Sequence, residues 1–555
     1  MDPMSTDLVA YHARASPENP AAVDIATGRC WSYRQLHHDI NKACSALTAQ
    51  GVQQGDRVAV VAANSVFVVI LQQALMRQGA IIVPLNWRLS ASEICSLAAD
   101  CSPKLLFWDD TLGLAWQDFE RHLPAACRRM DLQDFIASVD QSTLPAASAA
   151  PQQEADDDGA GFPDRTAAIV YTSGTSGRPK GVKITRRNML ATAVNYSVLG
   201  RVEAGSVLLC DVPLFHLVGL AVCVWSMLLR GGTVVMSRRF DAASTNERLA
   251  STATAVTHYF CVPQMADSLR RAANFAPGRW AALAAVFTGG APNPPARVRW
   301  WLDRGVNMVD GYGTTEAGHF LGMPPLDEQV IRRKAGSVGL AGPMTHVEIV
   351  HPDTGVPVLP GEPGEIVASG MSVTPGYWGH AGPDGGLEVL ERGPDRGVAG
   401  RWYRTGDIAR RDEDGFVYII GRRKDIFITG GESVAPAEVE AALMQHPLVA
   451  QAAVVGVPDS TWGEVGYAWI VLEQGVQESS RPPHEHLVSF CKGLIGRYKI
   501  PKHFRFTESL PRTGSGKIMK HVLKKKLESE GFGRPVMVKE DQLTGTTKTL
   551  SWSTV

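Results

Sequence analysis

Helix-period and strand-like segments alternate over the first hundred residues, and this alternation most constrains the fold. Ser32 has the chemistry of a helix N-cap, and apolar residues recur at Leu36, Ile40, Ala43 and Leu47 before Gly51 ends the pattern. The spacing predicts a helix with one buried stripe and a glycine stop. Val58–Ala62 follows as a short apolar strand, then a helical stretch over Ser65–Arg77 and a second strand over Ala80–Pro84. Such alternation implies βα units and a mainly parallel sheet, because a parallel pair needs a crossover long enough to hold a helix. The chain has 555 residues. Single cores stop growing near about 250–300 residues, so two or more domains are expected.

The texture changes further along. Past Gly361 glycine and proline become dense (GEPGEIVASG, TPGYWG, GPDGG), which reads as short strands joined by turns. The charged run Arg422-Arg423-Lys424-Asp425 lies between the apolar strands Phe416–Ile420 and Ile426–Ile428, and the domain boundary is placed there. This divides the chain into residues 1–422, a small domain over 423–531 and a polar tail over 532–555. Gln152–Gly161 is acidic and unpatterned, as expected of a surface loop.

Composition removes several classes of function. A hydrophobic fraction of 45% and a charged fraction of 20% suit a soluble globular protein. A formal net charge of −1 leaves no field to attract nucleic acid or a membrane surface. Lys524-Lys525-Lys526 reads as a solvated helix face. The 9 cysteines include no CxxC pair and read as reduced thiols, which points to the cytoplasm. No long apolar segment of a secretory signal opens the chain. The most apolar stretch, Leu217–Leu229, is shorter than the ~20 residues of a membrane helix and reads as a buried core helix.

Three segments carry chemistry. The first is Thr172-Ser173-Gly174-Thr175-Ser176-Gly177-Arg178-Pro179-Lys180-Gly181, which follows the predicted strand Ala167–Tyr171. Its glycines permit close backbone approach, its hydroxyls and N–H groups can donate to phosphate oxygens, and Lys180 adds charge. It lacks the spacing of a Walker loop. The second is Asp310-Gly311-Tyr312-Gly313-Thr314-Thr315-Glu316, where a ring can stack on a base and a carboxylate can hold Mg²⁺ together with phosphate. The third is Tyr403-Arg404-Thr405-Gly406-Asp407 with Gly421-Arg422, where an aspartate can grip a ribose diol. Each of these, taken alone, also fits an ordinary polar turn.

Taken together and in order, the segments resemble the adenylate-forming superfamily of acyl- and aryl-CoA synthetases, luciferases and peptide-synthetase adenylation domains. The motifs are YTSGTSGRPKG, PLFH (Pro213–His216), GGAP (Gly289–Pro292), GYGTTE, YRTGD, GRRKDIFITGGESVAPAEVE and PRTGSGK. The likeness runs from about Leu8 to Leu527. It implies an α/β fold: a large N-terminal domain of parallel-rich sheets flanked by helices plus a β-rich subdomain, and a small mobile α+β C-terminal domain. It implies an ATP-dependent acid:CoA ligase that forms an acyl-adenylate and pyrophosphate, then an acyl-CoA thioester and AMP. Two alternatives stay open: a freestanding enzyme that loads a carrier protein's phosphopantetheine, and a catalytically silent nucleotide-binding protein.

The same resemblance implies the site. ATP, Mg²⁺ and coenzyme A are the expected cofactors. Thr172, Ser173, Gly174, Thr175, Ser176, Gly177 and Lys180 would hold the β- and γ-phosphates. Gly289, Gly290, Ala291 and Pro292 would sandwich adenine with Tyr312, beside Asp310, Gly311, Gly313 and Thr314. Thr315 would contact phosphate, and Glu316, with Thr175, would hold Mg²⁺. Asp407, with Ile419 and Arg422, would bind the ribose. Lys517, carried by the small C-terminal domain, would bridge the carboxylate and α-phosphate, Lys424 would be the hinge, and Gly430 and Gly431 would flank the pantetheine. The acid would meet His216, Val218, Gly219 and Leu220 on one side, Phe260 and Met265 on another, and Ala317 and Gly318 on a third. That wall is apolar and lacks an aspartate for an α-amino group, so an aliphatic or aromatic acid is expected. Gly219 and Gly318 hint at room for something bulky. No nucleic acid or integral membrane partner is expected, and a homodimer is compatible with the sequence.

Overall fold

Ser32 caps the helix Tyr33–Ala49 as its chemistry requires: its hydroxyl accepts from the Gln35 amide while the Gln35 side chain returns a bond to the Ser32 amide. Leu36, Ile40, Ala43 and Leu47 form its buried stripe. The Ser65 hydroxyl caps Val66–Arg77 by accepting from the Phe67 amide, and the strands Arg57–Val61 and Ile81–Pro84 lie parallel. The computed structural model describes residues 7–114, 119, 123, 127–141, 164–172, 179–291, 293–325, 327–382, 384–392, 400–477, 480–513, 517–530 and 532. The expected loop Gln152–Gly161 and most of the C-terminal tail lie outside them.

The chain forms two units. The first comprises residues up to Lys424 together with Arg512–Ile518; the second comprises Asp425–Pro511 and the chain from Met519. The first unit holds three sheets. A six-stranded sheet runs in the order Arg128–Asp131, Leu105–Trp108, Arg57–Val61, Ile81–Pro84, Thr166–Thr172, Lys180–Thr185, parallel except for its last pair. A nine-stranded sheet has a parallel centre, from Pro20–Asp24 through Thr233–Met236, Val207–Cys210, His258–Cys261 and Ala285–Thr288 to Met308–Thr314. Antiparallel strands close both edges. Fully buried parallel strands read as unbroken apolar runs, as in Leu105–Trp108 and His258–Cys261. The helices Val66–Arg77 and Arg186–Leu199 lie in the main core and are buried almost throughout. The third sheet is antiparallel, built from Thr345–Val350, Gly364–Gly370, Gly400–Arg411, Val389–Arg392 and Val417–Arg422, and is the expected β-rich subdomain.

The second unit is α+β. Its long hairpin Val449–Asp459/Gly463–Leu472 carries Phe427–Thr429 and the parallel strand His503–Phe506, with the helices Pro436–Leu443 and His484–Lys492 packed on an apolar core that includes Phe427, Val454 and Phe504. Lys524, Lys525 and Lys526 are exposed on the helix Lys520–Ser529. All 9 cysteines are free thiols.

One expectation is corrected. Leu217–Leu229 is not a single core helix. Val218–Cys223 is a π-helical turn that feeds the α-helix Val224–Arg230. The cause is local packing. Gly219 presses on the Pro213 carbonyl, and the Gln72 amide donates to the Leu220 carbonyl at 3.4 Å. Such turns are frequent at functional sites.

Candidate active site

The nucleotide-type residues gather at the carboxyl ends of parallel strands, where α/β folds bind ligands. Ala285–Thr288 ends at Gly289-Gly290-Ala291, and its neighbour Met308–Thr314 delivers Asp310, Gly311, Tyr312, Gly313 and Thr314. Asp310 is buried. The Thr288 hydroxyl and, at 2.9 Å, the Asn293 amide both donate to its Oδ1. Burial pushes its carboxyl up to about 6, with the two donors pulling the other way.

Tyr312 meets the antiparallel sheet. Its hydroxyl donates to Asp407 Oδ2 at 2.5 Å, and its ring stands edge-on to Phe320. Asp407 sits on Gly400–Arg411 opposite Arg422 of Val417–Arg422, and Arg422 Nε lies 3.2 Å from Asp407 Oδ1. The register therefore places a cation, a buried carboxylate and an aromatic face together from three distant stretches of sequence. Ile419 packs on the apolar cluster beneath, beside Tyr312.

A second grouping surrounds Glu316, which follows Thr315 in the turn before Gly318–Gly322. The Tyr377 hydroxyl donates to Glu316 Oε1 at 3.0 Å, and Lys180 Nζ lies 4.6 Å from the centre of the Tyr377 ring. Lys180 is brought there by the hairpin of Thr166–Thr172 and Lys180–Thr185, in which Thr172 pairs with Lys180. Ser173, Gly174, Thr175, Ser176, Gly177 and Pro292 lie outside the described residues. Among the described residues no group of three or more His, Cys, Asp or Glu side chains could hold a metal. Glu316 is a single hard carboxylate with hydroxyl neighbours, a donor set that suits Mg²⁺ held chiefly through nucleotide oxygens.

Lys517 belongs to the first unit. It keeps solvent contact, yet the protein around its ammonium, and then Arg422, disfavour the charge, while Asp407 and Glu316 favour it. The net effect lowers its pKa. His216 opens the turn that leads into Val218–Cys223. Burial, then Lys517 and Arg88, push its imidazole down to about 4, so it is neutral at pH 7, and its Nε2 is buried without a hydrogen-bond partner among the described residues. Phe260 ends His258–Cys261, and Met265 follows on the helix Pro263–Arg271.

Gly219 and Gly318 do not supply room. A Cβ at Gly219 would stand 2.4 Å from the Pro213 carbonyl oxygen, and one at Gly318, where φ is +69°, would stand 2.1 Å from the Thr192 hydroxyl. Both are glycine because backbone or a core side chain already fills the space. Ala317 beside Gly318 is fully buried. In the second unit, Gly430 and Gly431 form the turn between Phe427–Thr429 and Glu432–Val434, and the Gly430 amide bonds the Trp462 carbonyl at 2.8 Å. Sequence reasoning missed Tyr377, whose motif TPGYWG was read only as turn texture, and Thr288 and Asn293, which hold Asp310. Nothing local in the sequence marks those two, because they meet Asp310 only through the sheet register.

Strand register and turns thus bring the expected nucleotide residues Asp310, Tyr312, Asp407 and Arg422 together, and place Glu316 beside Tyr377, which Lys180 also meets. The AMP-binding enzyme family matches residues 9–378, and the C-terminal domain of AMP-binding enzymes matches residues 438–517. The chain belongs to the AMP-binding enzyme family. It is 35% identical to a feruloyl-CoA synthase of Amycolatopsis sp over 94% of this chain and 99% of that protein. It is 32% identical to a long-chain-fatty-acid–CoA ligase of Mycobacterium tuberculosis over 93% of this chain and 97% of the relative. Among solved structures it resembles the o-succinylbenzoate CoA synthetase of Bacillus subtilis in complex with its acyl-adenylate intermediate, with TM-score 0.77, 27% identity and coverage of 93% and 97%. ATP-bound MatB from Rhodopseudomonas palustris is similar at TM-score 0.79 and 26% identity, with coverage of 94% and 99%. Within the family the chain is an AMP-forming acid:CoA ligase. No helix among the described residues is long and apolar enough to cross a membrane.

Proposed function

We propose that this ligase acts on an apolar aromatic or aliphatic carboxylic acid that lacks an α-amino group. The observation that carries the reading is the surroundings of His216. The imidazole is neutral, and its expected neighbours Val218, Leu220, Phe260 and Ala317 offer no carboxylate to an ammonium group. ATP and coenzyme A are its co-substrates.

The residues divide the work as follows. Asp407 accepts from the ribose hydroxyls and is held in place by Tyr312 and Arg422. Tyr312 and Gly289–Ala291 bracket adenine, and Asp310 accepts from its amino group. Thr172, Thr315 and Lys180 meet phosphate oxygens, with Ser173–Gly177. Glu316, with Thr175, would hold Mg²⁺, which when bound supplies positive charge between two anions that otherwise repel. Lys517 contributes the same from the protein. An oxygen of the acid attacks the α-phosphorus, the bond to the pyrophosphate oxygen breaks, and pyrophosphate leaves. No general base is needed, because the carboxylate is already ionised at pH 7. Catalysis is therefore positioning and electrostatics, where one preorganised contact is worth about 10²–10³ in rate. The coenzyme A sulfur, its proton released to solvent, then attacks the acyl carbon, the bond from that carbon to the AMP oxygen breaks, and AMP leaves; Gly430 and Gly431 are the proposed pantetheine contacts. Lys424, in the short helix Arg423–Asp425, is the pivot between the two half-reactions.

The test is a panel of acids assayed for acyl-CoA by mass spectrometry. Cinnamic, benzoic and medium-chain fatty acids are expected to include the best substrate, with α-amino acids at least a hundredfold poorer. An α-amino acid as the best substrate would overturn the reading.

A further inference from the structure

We infer that the far end of the acid pocket holds a slot for one uncharged hydrogen-bonding group, presented to the Tyr196 hydroxyl, so that the preferred acid carries a hydroxyl distant from its carboxylate. The inference rests on the proposed placing of the acid along Phe260.

A small, partly open cavity lies between the helix Arg186–Leu199 and the nine-stranded sheet. Its lining includes Tyr196, Phe260, Phe287, Asp310, Gly311 and His319. Phe260 is also part of the expected acid wall, and Asp310 and Gly311 come from the strand Met308–Thr314 that flanks it, so the cavity borders that wall. Its volume is about 10 Å³, room for one water-sized group and not for a ring or an alkyl tail. Tyr196 is 1% exposed, and its hydroxyl has no hydrogen-bond partner among the described residues. Its ring is fixed by aromatic neighbours: Phe287 at 5.3 Å, His319 at 5.5 Å and Phe260 at 6.2 Å between centroids.

A buried hydroxyl without a partner is uncommon and costs folding free energy. Three apolar contacts hold the Tyr196 ring, so a phenylalanine would pack there equally well. The retained oxygen is therefore explained by a ligand group, with a water in its place when the acid is absent. The electrostatics choose an uncharged group. Burial keeps Tyr196 protonated and drives His319 down to about 4, so neither can neutralise an anion, and Asp310 would repel one.

The test uses two pairs of acids that differ by one hydroxyl: 4-hydroxycinnamate against cinnamate, and 10-hydroxydecanoate against decanoate. Wild type should ligate the hydroxylated member of at least one pair with kcat/KM tenfold or more above its partner. Tyr196→Phe should cut that ratio to below about twofold, through loss on the hydroxylated acid alone and with KM for ATP unchanged. An equal ratio in both enzymes, equal loss on both members, or ligation of the unsubstituted acids by wild type with no preference would overturn the slot while leaving the substrate class standing. Ligation of neither pair by wild type would overturn the slot, and the wider acid panel would then decide the substrate class. The wild-type comparison needs no variant and cannot fail through misfolding.

Discussion

Asp310, in its proposed role beside adenine, would serve binding at the expense of stability. Its carboxyl is pushed up to about 6 by burial, against an ordinary value of 3.8. Below about pH 4 the group is protonated whether the chain is folded or not, so its burial carries no ionisation penalty. As pH rises toward 6 the unfolded chain ionises first and stability falls; above the folded value the loss is complete. The shift is worth on the order of 2–3 kcal/mol. Asp310→Asn should therefore raise the urea midpoint at pH 7 and leave it nearly unchanged at pH 4. Function runs the other way. The ionised carboxylate is the better acceptor for an adenine amino group, so wild-type KM for ATP should fall between pH 5 and pH 7, and the variant should show no such fall. A flat wild-type profile would separate Asp310 from adenine. Asp407 is met instead by a donor and a cation, the Tyr312 hydroxyl at 2.5 Å and Arg422 Nε at 3.2 Å.

The elements around the acid wall are shaped by close approach. Gly318 combines a φ of +69° with a Thr192 hydroxyl where a Cβ would stand. Gly318→Ala should cost about 2 kcal/mol or more in unfolding free energy. Thr192→Ala in the same chain should recover part of this and leave the backbone strain, as the denaturation midpoints of the single and double variants will show. The π-helical turn Val218–Cys223 is supported by Gln72, fully buried in a largely apolar helix. Gln72→Leu should raise KM for the acid severalfold with KM for ATP unchanged; equal change in both would reduce Gln72 to a core-filling role. The sequence announced the helix of Gln72 through its Ser65 cap and apolar run, but the π turn was hidden, because Leu217–Leu229 has the composition of any core helix. The two glycines misled for a related reason: composition shows that a side chain is absent and not what occupies the space.

At the scale of the whole molecule, legibility followed the range of the interaction. The parallel sheets were announced by local alternation of period. The β-rich subdomain was announced by its turns. The motifs GYGTTE and YRTGD lie far apart in the chain, and nothing local says that Tyr312 and Asp407 share a hydrogen bond; strand register does that. Glu316, Tyr377 and Lys180 come from three separate elements and meet only in the fold. Lys517 shows the same limit, since its ammonium is tuned by Arg422, Asp407 and Glu316, all remote in sequence. These long-range groupings are what a nucleotide and an acid require at one place, and they carry the claim that the first unit makes an acyl-adenylate. The most direct measurement is acid-dependent exchange of labelled pyrophosphate into ATP with no coenzyme A present, in wild type and in Lys517→Ala. The account predicts exchange in wild type, a loss of about 10²-fold or more in the variant, and retained thioester formation when the variant is given the acyl-adenylate. Exchange that ignores the acid, or a variant equally crippled in both half-reactions, would contradict it.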